Sequence, residues 1–190
     1  TTAELYPDLP KSSGLVINDV MYKRWDEWQT SVPHPFVADF NHGALDNVKD
    51  LLEGEPYESP MKPHGGIEQL AWSPDGKTIA YTCRKKTGLE YSLSTNSDIY
   101  LYHLENGKCE NLTEGMMGYD TNPLYSPSGR YIAFLSMERE GYESDKNRLM
   151  IYDCQTKQMR DYTADFDQEA GSLAWSADEK HLYFVSVWHA

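Results

Sequence analysis

The sequence predicts an all-β chain: a β-propeller fragment of four-stranded antiparallel blades, two full and two partial, with one short helical insertion near residues 18–30. Three observations predict it. A hairpin pattern of aromatic, Ser, turn, basic residue and alternating strand occurs three times along the 190 residues. Two further strand signals follow the first two copies at matching offsets. Aromatics make up 13% of the chain, with Tyr 14 and Trp 5, a composition that favours strands.

The first copy runs Leu70–Tyr81, the second Pro123–Phe134 and the third Leu173–Phe184. Their aromatic positions, Trp72, Tyr125 and Trp175, lie 53 and then 50 residues apart. Pro74 and Pro127 preset φ at the first turn corner, and Gly76 and Gly129 supply a positive φ at its end. The third copy carries Ala177 and Glu179 there, so its turn is predicted to be weaker. Asp98–Leu104 matches Arg148–Asp153 as a third strand. Asn106-Gly107-Lys108 then turns into Cys109–Thr113, as Gln155-Thr156-Lys157 turns into Gln158–Thr163. Each full copy thus holds four strands, A to D, in about 50 residues, which is the size of a propeller blade.

The blades divide the chain into residues 1–54, a partial blade with the helical insertion; 65–113, a full blade; 118–163, a second full blade; and 168–190, a partial blade of strands A and B. In the first segment His34–Phe40 reads as strand C, and Val48–Gly54 as strand D in line with Asn111–Gly115. Closing a propeller takes roughly four to eight blades. Further blades are therefore expected on both sides, and Thr1 without a start Met and an end inside an apolar strand pattern agree with a piece of a longer protein. Insertions separate strands B and C at Arg84–Ser97 and Met137–Asn147, and Leu15–Ser31 precedes the first strand C. Within the last of these, Ile17, Met21, Trp25 and Trp28 fall at helical spacing. Lys23 and Glu27 add an i,i+4 pair, and Ser13 or Asn18 could cap the start. Strand alternation puts all three insertions on one face, where loops on a rigid scaffold commonly bind ligands.

Lys+Arg 17 against Asp+Glu 30 gives a net charge of −13, which argues against nucleic acid or anionic lipid as a partner. No apolar run reaches the roughly 18 residues of a membrane-spanning helix. Cys83, Cys109 and Cys154 form no C-x-x-C pair and read as small buried or half-buried side chains. No two of the six histidines stand at helical ligand spacing, so no metal site is expected. The chain has no G-x-S-x-G elbow, phosphate-binding loop or H-E-x-x-H helix. No catalytic residue and no cofactor are therefore expected within it. Asn111-Leu112-Thr113 is a formal glycosylation sequon that reads as ordinary strand D. One constellation stands out as a candidate substrate-binding site: Arg24, Trp25, Asp26 and Glu27, followed by Trp28. Adjacent carboxylates can anchor an ammonium, and indoles can shape an apolar slot beside it. A solvated charged face over an apolar stripe is the alternative, and composition alone favours it.

With Trp72-Ser73-Pro74-Asp75-Gly76-Lys77, Asp98-Ile99-Tyr100-Leu101 and Asn111-Leu112-Thr113 in place, the chain resembles the propeller-repeat superfamily. That superfamily holds the Tol-system periplasmic propellers and the N-terminal propellers of prolyl oligopeptidase-type serine peptidases. Val20–Trp28 followed by His34–Val37 is more specific. It is similar to the R-H-W-D-x-W/Y segment that precedes a strand in bacterial dipeptidyl peptidases and acylaminoacyl peptidases, with Lys23-Arg24 where that family usually has Arg-His. The resemblance covers about residues 15–190.

It implies the non-catalytic, substrate-gating portion of a serine exopeptidase that releases dipeptides or acylated amino acids from peptide N-termini. The catalytic triad would then sit on an α/β-hydrolase domain absent from this chain, the partner would be a peptide substrate, and the location would be periplasmic or secreted in a bacterium. In dipeptidyl peptidase IV relatives an acidic pair on a propeller helix holds the substrate amine, and Asp26 and Glu27 lie on a comparable insertion. The alternative is a Tol-type propeller that docks protein partners. Unpaired strand edges at both ends are expected to associate with another chain or with a second copy.

Overall fold

The computed structural model describes residues 1–187. Helix α1 (Thr2–Leu5) opens the chain with a capping box between Thr1 and Glu4. A tight hairpin of β1 (Lys23–Arg24) and β2 (Glu27–Trp28) follows, then a longer one of β3 (Phe36–Asn41) and β4 (Ala44–Asp50). The first four-stranded sheet contains β5 (Leu70–Trp72), β6 (Thr78–Cys83), β7 (Asp98–His103) and β8 (Cys109–Asn111), with the six-residue helix α2 (Gly88–Leu93) between β6 and β7. The second contains β9 (Asp120–Tyr125), β10 (Tyr131–Ser136), β11 (Arg148–Asp153) and β12 (Gln158–Asp161). The pair β13 (Gly171–Trp175) and β14 (Leu182–Val185) comes last. In every sheet the strands are antiparallel and neighbours in space are neighbours in sequence. This is the meander of a propeller blade, twice complete and twice partial, and among the described residues no sheet closes on itself.

Packing explains the strand composition. Leu52, Ile79, Tyr81 and Tyr100 share one cluster, which ties the β3–β4 pair to the first full sheet. Ala80, Ile99, Leu101, Ile132, Phe134 and Met150 form the next cluster, between the two full sheets. Ala133, Leu135, Leu149 and Ala170 form the third, towards the β13–β14 pair. Strands β6 and β10 are buried on both faces, so they read as continuous apolar runs rather than alternating ones. Phe36, Phe40, Leu45, Tyr183 and Val185, on the two outer pairs, are exposed.

The repeated hairpin is held by its serine. The Ser73 hydroxyl accepts the N–H groups of Lys77 and Thr78 and donates to Asp75. Ser126 accepts from Tyr131 N–H, and Ser176 accepts from His181 N–H while donating to Asp178. Gly76 and Gly129 sit at φ 70 and 76, as the turn chemistry requires. Glu179 is forced to φ 58 at the same corner. Its carboxylate is engaged elsewhere: it accepts the Ser128 N–H and, at 2.9 Å, the Ser128 O–H of the preceding turn. These bonds hold it below the usual carboxylate range.

A second repeated device ends strand D. Asp50, Asn111 and Asp161 each accept the N–H two residues on, from Leu52, Thr113 and Thr163. The Thr113 and Thr163 hydroxyls then accept the N–H groups of Ile99 and Leu149 at 3.1 and 2.9 Å. In the first partial blade the fully buried Leu52 takes that place, so apolar contact substitutes for the hydrogen bond.

Several expectations are corrected. Residues 18–30 are not a helix: Arg24 pairs with Glu27, and Trp25, at φ 51, turns the chain back after two residues. The supposed apolar stripe meets no core, since Trp25 and Trp28 are 77% and 51% exposed. A short helix without a buried face is marginal in water, whereas the hairpin lets Arg24 reach a buried carboxylate. Lys23 consequently lies opposite Trp28 rather than paired with Glu27. The helix instead occurs as α2, inside the Arg84–Ser97 insertion. In the first segment strand C is Phe36–Asn41 rather than His34–Phe40, and strand D is Ala44–Asp50 rather than Val48–Gly54. The two-residue turn His42-Gly43, at φ 49 and 89, starts strand D earlier than expected. The alignment with Asn111–Gly115 survives in the turn that follows strand D, where Gly54 and Gly115 both have positive φ. All three cysteines are free, and Cys109 is exposed rather than buried or half-buried. Trp188–Ala190, in the last partial blade, lie outside the described residues.

The two full sheets also meet through backbone. Ser97 N–H donates to Gly118, Asp120 N–H donates to Ser97, and the Ser97 hydroxyl donates to the Asp120 carbonyl. This seam buries the Asp120 carboxyl completely, with neither oxygen hydrogen-bonded. Burial pushes its pKa up to about 7, and nearby Asp98 adds to the rise.

Thr163→Val leaves the Leu149 N–H buried without an acceptor and is expected to cost about 1–3 kcal/mol, read as a lower urea midpoint, while Thr163→Ser stays near wild type. Asp120 keeps its proton to about pH 7 when folded, but releases it near pH 4 when unfolded. The folded state binds more protons across that window, so this group's contribution to stability falls as pH rises through it. Asp120→Asn is expected to flatten that fall in urea midpoints measured from pH 4 to pH 7; identical pH profiles would refute it.

Candidate functional site

One face of the molecule gathers the β1–β2 hairpin, the run before β5, helix α2 with its flanks, and the loop between β10 and β11. Together they line a cleft of about 940 Å³ whose walls include Arg24, Trp25, Met61, Arg84, Tyr91 and Tyr119. A second hollow of about 490 Å³ adjoins it, and Arg24 and Tyr91 line both. These two side chains therefore form a shared wall.

The wall is built around a buried carboxylate. Arg24 Nη1 lies 2.5 and 2.7 Å from the two oxygens of Glu58 and donates to the Lys62 carbonyl at 3.0 Å. Arg24 and Glu58 side chains are 11% and 6% exposed. The Tyr91 hydroxyl, presented by α2, donates to Glu58 Oε1 at 2.5 Å. Burial and the Glu58 charge push that hydroxyl above its ordinary range, so it stays a protonated donor. The Tyr91 ring carries two cations, with the Arg24 and Arg84 guanidinium carbons 4.9 and 4.6 Å from its centre. Glu58 tolerates burial because both its oxygens are engaged by Arg24 and Tyr91.

Other contacts fix the rim. The Ser94 hydroxyl donates to Glu140 at 2.5 Å and Gly141 N–H to the Thr95 hydroxyl at 2.8 Å, which fastens the β10–β11 loop to the end of α2. Within that loop Arg139 pairs with Asp145. Gln69 accepts Met61 N–H and donates to the Tyr119 and Thr121 hydroxyls, which holds the chain below the cleft. Trp25 stands edge-on to His64 at 5.0 Å.

Of the four candidate residues, Arg24 and Trp25 line the cleft. Asp26 and Glu27 are exposed and line neither hollow. The structure therefore does not bring the four together as one site. Glu58, Tyr91 and Arg84 escaped the sequence reading. Tyr91 and Arg84 lay inside an insertion assigned to the right face, but no spacing marked them, and Glu58 sits in an irregular run with no periodicity at all. Among the described residues no group of three or more His, Cys, Asp or Glu could hold a metal ion. What the arrangement offers is binding, through guanidinium and ammonium donors between aromatic walls.

No family model matches the chain. It is 53% identical over 185 residues to dipeptidyl-peptidase 5 of Porphyromonas gingivalis, a match covering 97% of this chain and 27% of that protein. It is 61% identical over 145 residues to dipeptidyl-peptidase 5 of Porphyromonas endodontalis, covering 76% of this chain and 21% of the relative. The chain thus spans about a quarter of the length of these curated relatives. Among solved structures, a TolB-type protein of Agrobacterium tumefaciens superposes with a TM-score of 0.51 at 20% identity, covering 80% of this chain and 50% of that one. At that identity the likeness is one of fold.

Removing the buried acid tests the wall. Glu58→Ala is expected to cost about 3–5 kcal/mol in urea unfolding, because Arg24 keeps a buried charge without its partner. The double variant Arg24→Met/Glu58→Met is expected to lose less than Glu58→Ala alone.

Proposed function

Starting from a propeller segment related to dipeptidyl-peptidase 5 along nearly its whole length, we propose that this chain is the non-catalytic, substrate-handling propeller part of a serine exopeptidase that releases dipeptides or acylated amino acids from peptide N-termini. The observation that carries the reading is the 53% identity over 97% of the chain. The catalytic Ser-Asp-His set belongs, in this reading, to a hydrolase domain outside the chain. The enzyme acts in the periplasm or as a secreted protein. The cleft supports a role in holding peptide, since it offers aromatic walls and hydrogen-bond donors on a single face. The insertions around it support a gate, because three of them converge on the face where the cleft opens. In this reading Asp26 and Glu27, both exposed on the hairpin, contact the substrate amine from outside the cleft.

A chimera tests the assignment. This chain replaces the matching 185-residue stretch in the Porphyromonas gingivalis enzyme. Dipeptide release from short free-amine peptides is expected to persist, with kcat/KM within about tenfold of the parent. A folded chimera without that activity overturns the assignment. In the same chimera Asp26→Asn with Glu27→Gln is expected to raise KM for free-amine peptides severalfold while kcat changes little. Unchanged kinetics would remove these two residues from the amine site.

A further inference from the structure

The cleft has the opposite charge to the chain that carries it. The protein is net −13, yet Lys23, Arg24, Lys62 and Arg84 all line this one hollow, against a single acid, Glu143. Arg24 is neutralised by Glu58. Lys23, Lys62 and Arg84 have no carboxylate within ion-pair distance among the described residues. Lys62 is exposed and Lys23 lies over the Trp28 ring, which is ordinary for a lysine, but Arg84 is a half-buried guanidinium. Its Nε is shut away from solvent without an acceptor, and its one hydrogen bond runs from Nη2 to the Thr95 carbonyl at 3.2 Å. A guanidinium has five N–H donors in a planar fork that fits a carboxylate. Arg84 therefore keeps donor capacity in the cleft, with its guanidinium carbon held 4.6 Å from the Tyr91 ring centre.

We infer that this cleft binds a carboxylate group of a peptide, with Arg84 as the principal contact and Lys23 and Lys62 as supporting charges at the rim. The inference deepens the peptide-handling reading and rests on it. The cleft's basic lining disfavours an ammonium, which is consistent with an amino end bound outside the cleft, on the side of Asp26 and Glu27. The carboxylate has two possible sources, an acidic side chain and a free C-terminus, and both present the same two oxygens.

The test is calorimetric titration of the chain with three amino-blocked peptides of equal length. The first carries an Asp side chain and an amidated C-terminus, the second Asn and a free C-terminus, the third Asn and an amidated C-terminus. At least one carboxylate-bearing peptide is expected to bind about tenfold more tightly than the neutral one, and the better of the two identifies the source. The preference is expected to shrink in high salt, to vanish in Arg84→Gln and to weaken in Lys23→Gln, a variant at the rim that serves if Arg84→Gln does not fold. Equal binding of all three peptides overturns the carboxylate inference and leaves peptide handling standing. No binding of any peptide overturns both.

Discussion

Sheets stacked face to face leave a chain very little freedom along the middle of each strand. Strands β6 and β10 are covered on both sides by the neighbouring sheets, so they carry apolar side chains throughout and their backbone is fully committed to the ladder. Within the sheets irregularity is limited to bulges in the β3–β4, β9–β10 and β13–β14 pairings, and turns and insertions gather at the two rims. At one rim the A–B hairpins close on a serine hydroxyl, and at the other the Asx turn and threonine end strand D while satisfying the start of strand C. The rims are also the only places where insertions fit, which is why three of them meet around one cleft.

That constraint explains which features could be read from the residues alone. The triplicated hairpin was legible because its turn needs particular side chains: Gly76 and Gly129 for backbone geometry, and Ser73, Ser126 and Ser176 as hubs. The serine's role was less visible than proline's or glycine's, since a hydroxyl that accepts backbone N–H groups leaves no periodicity. The supposed helix over residues 18–30 failed for the converse reason. Its spacing was helical, but periodicity predicts a helix only if a surface exists to receive the apolar face, and Trp25 and Trp28 face outward. Strand D starts earlier than its residues suggest because His42 occupies a left-handed corner more often given to Asn or Gly.

The site was legible only as a face. Strand alternation brought the insertions together correctly, but the chemistry of the cleft depends on residues far apart in sequence: Arg24 on a hairpin, Glu58 in an irregular run, Arg84 at the end of a strand and Tyr91 on a helix. Glu58 binds these pieces because a buried carboxylate must be paired wherever its partners come from. Without a pattern to mark it, the buried acid behind the wall of the cleft was the least visible. The adjacent acids Asp26 and Glu27 were conspicuous because both are exposed and contiguous.

Repeated blades carry a hazard that unrepeated folds do not: near-identical hairpins cannot tell one neighbour from another, and a chain can assemble them in the wrong order. Glu179 breaks that degeneracy. At the matching corner the other two hairpins have glycine, with no side chain to extend, so only the third can grip the turn beside it. A residue that fits its own corner poorly thereby becomes a key that fits one lock, the backbone and hydroxyl of Ser128. A local imperfection ties one hairpin to its neighbour.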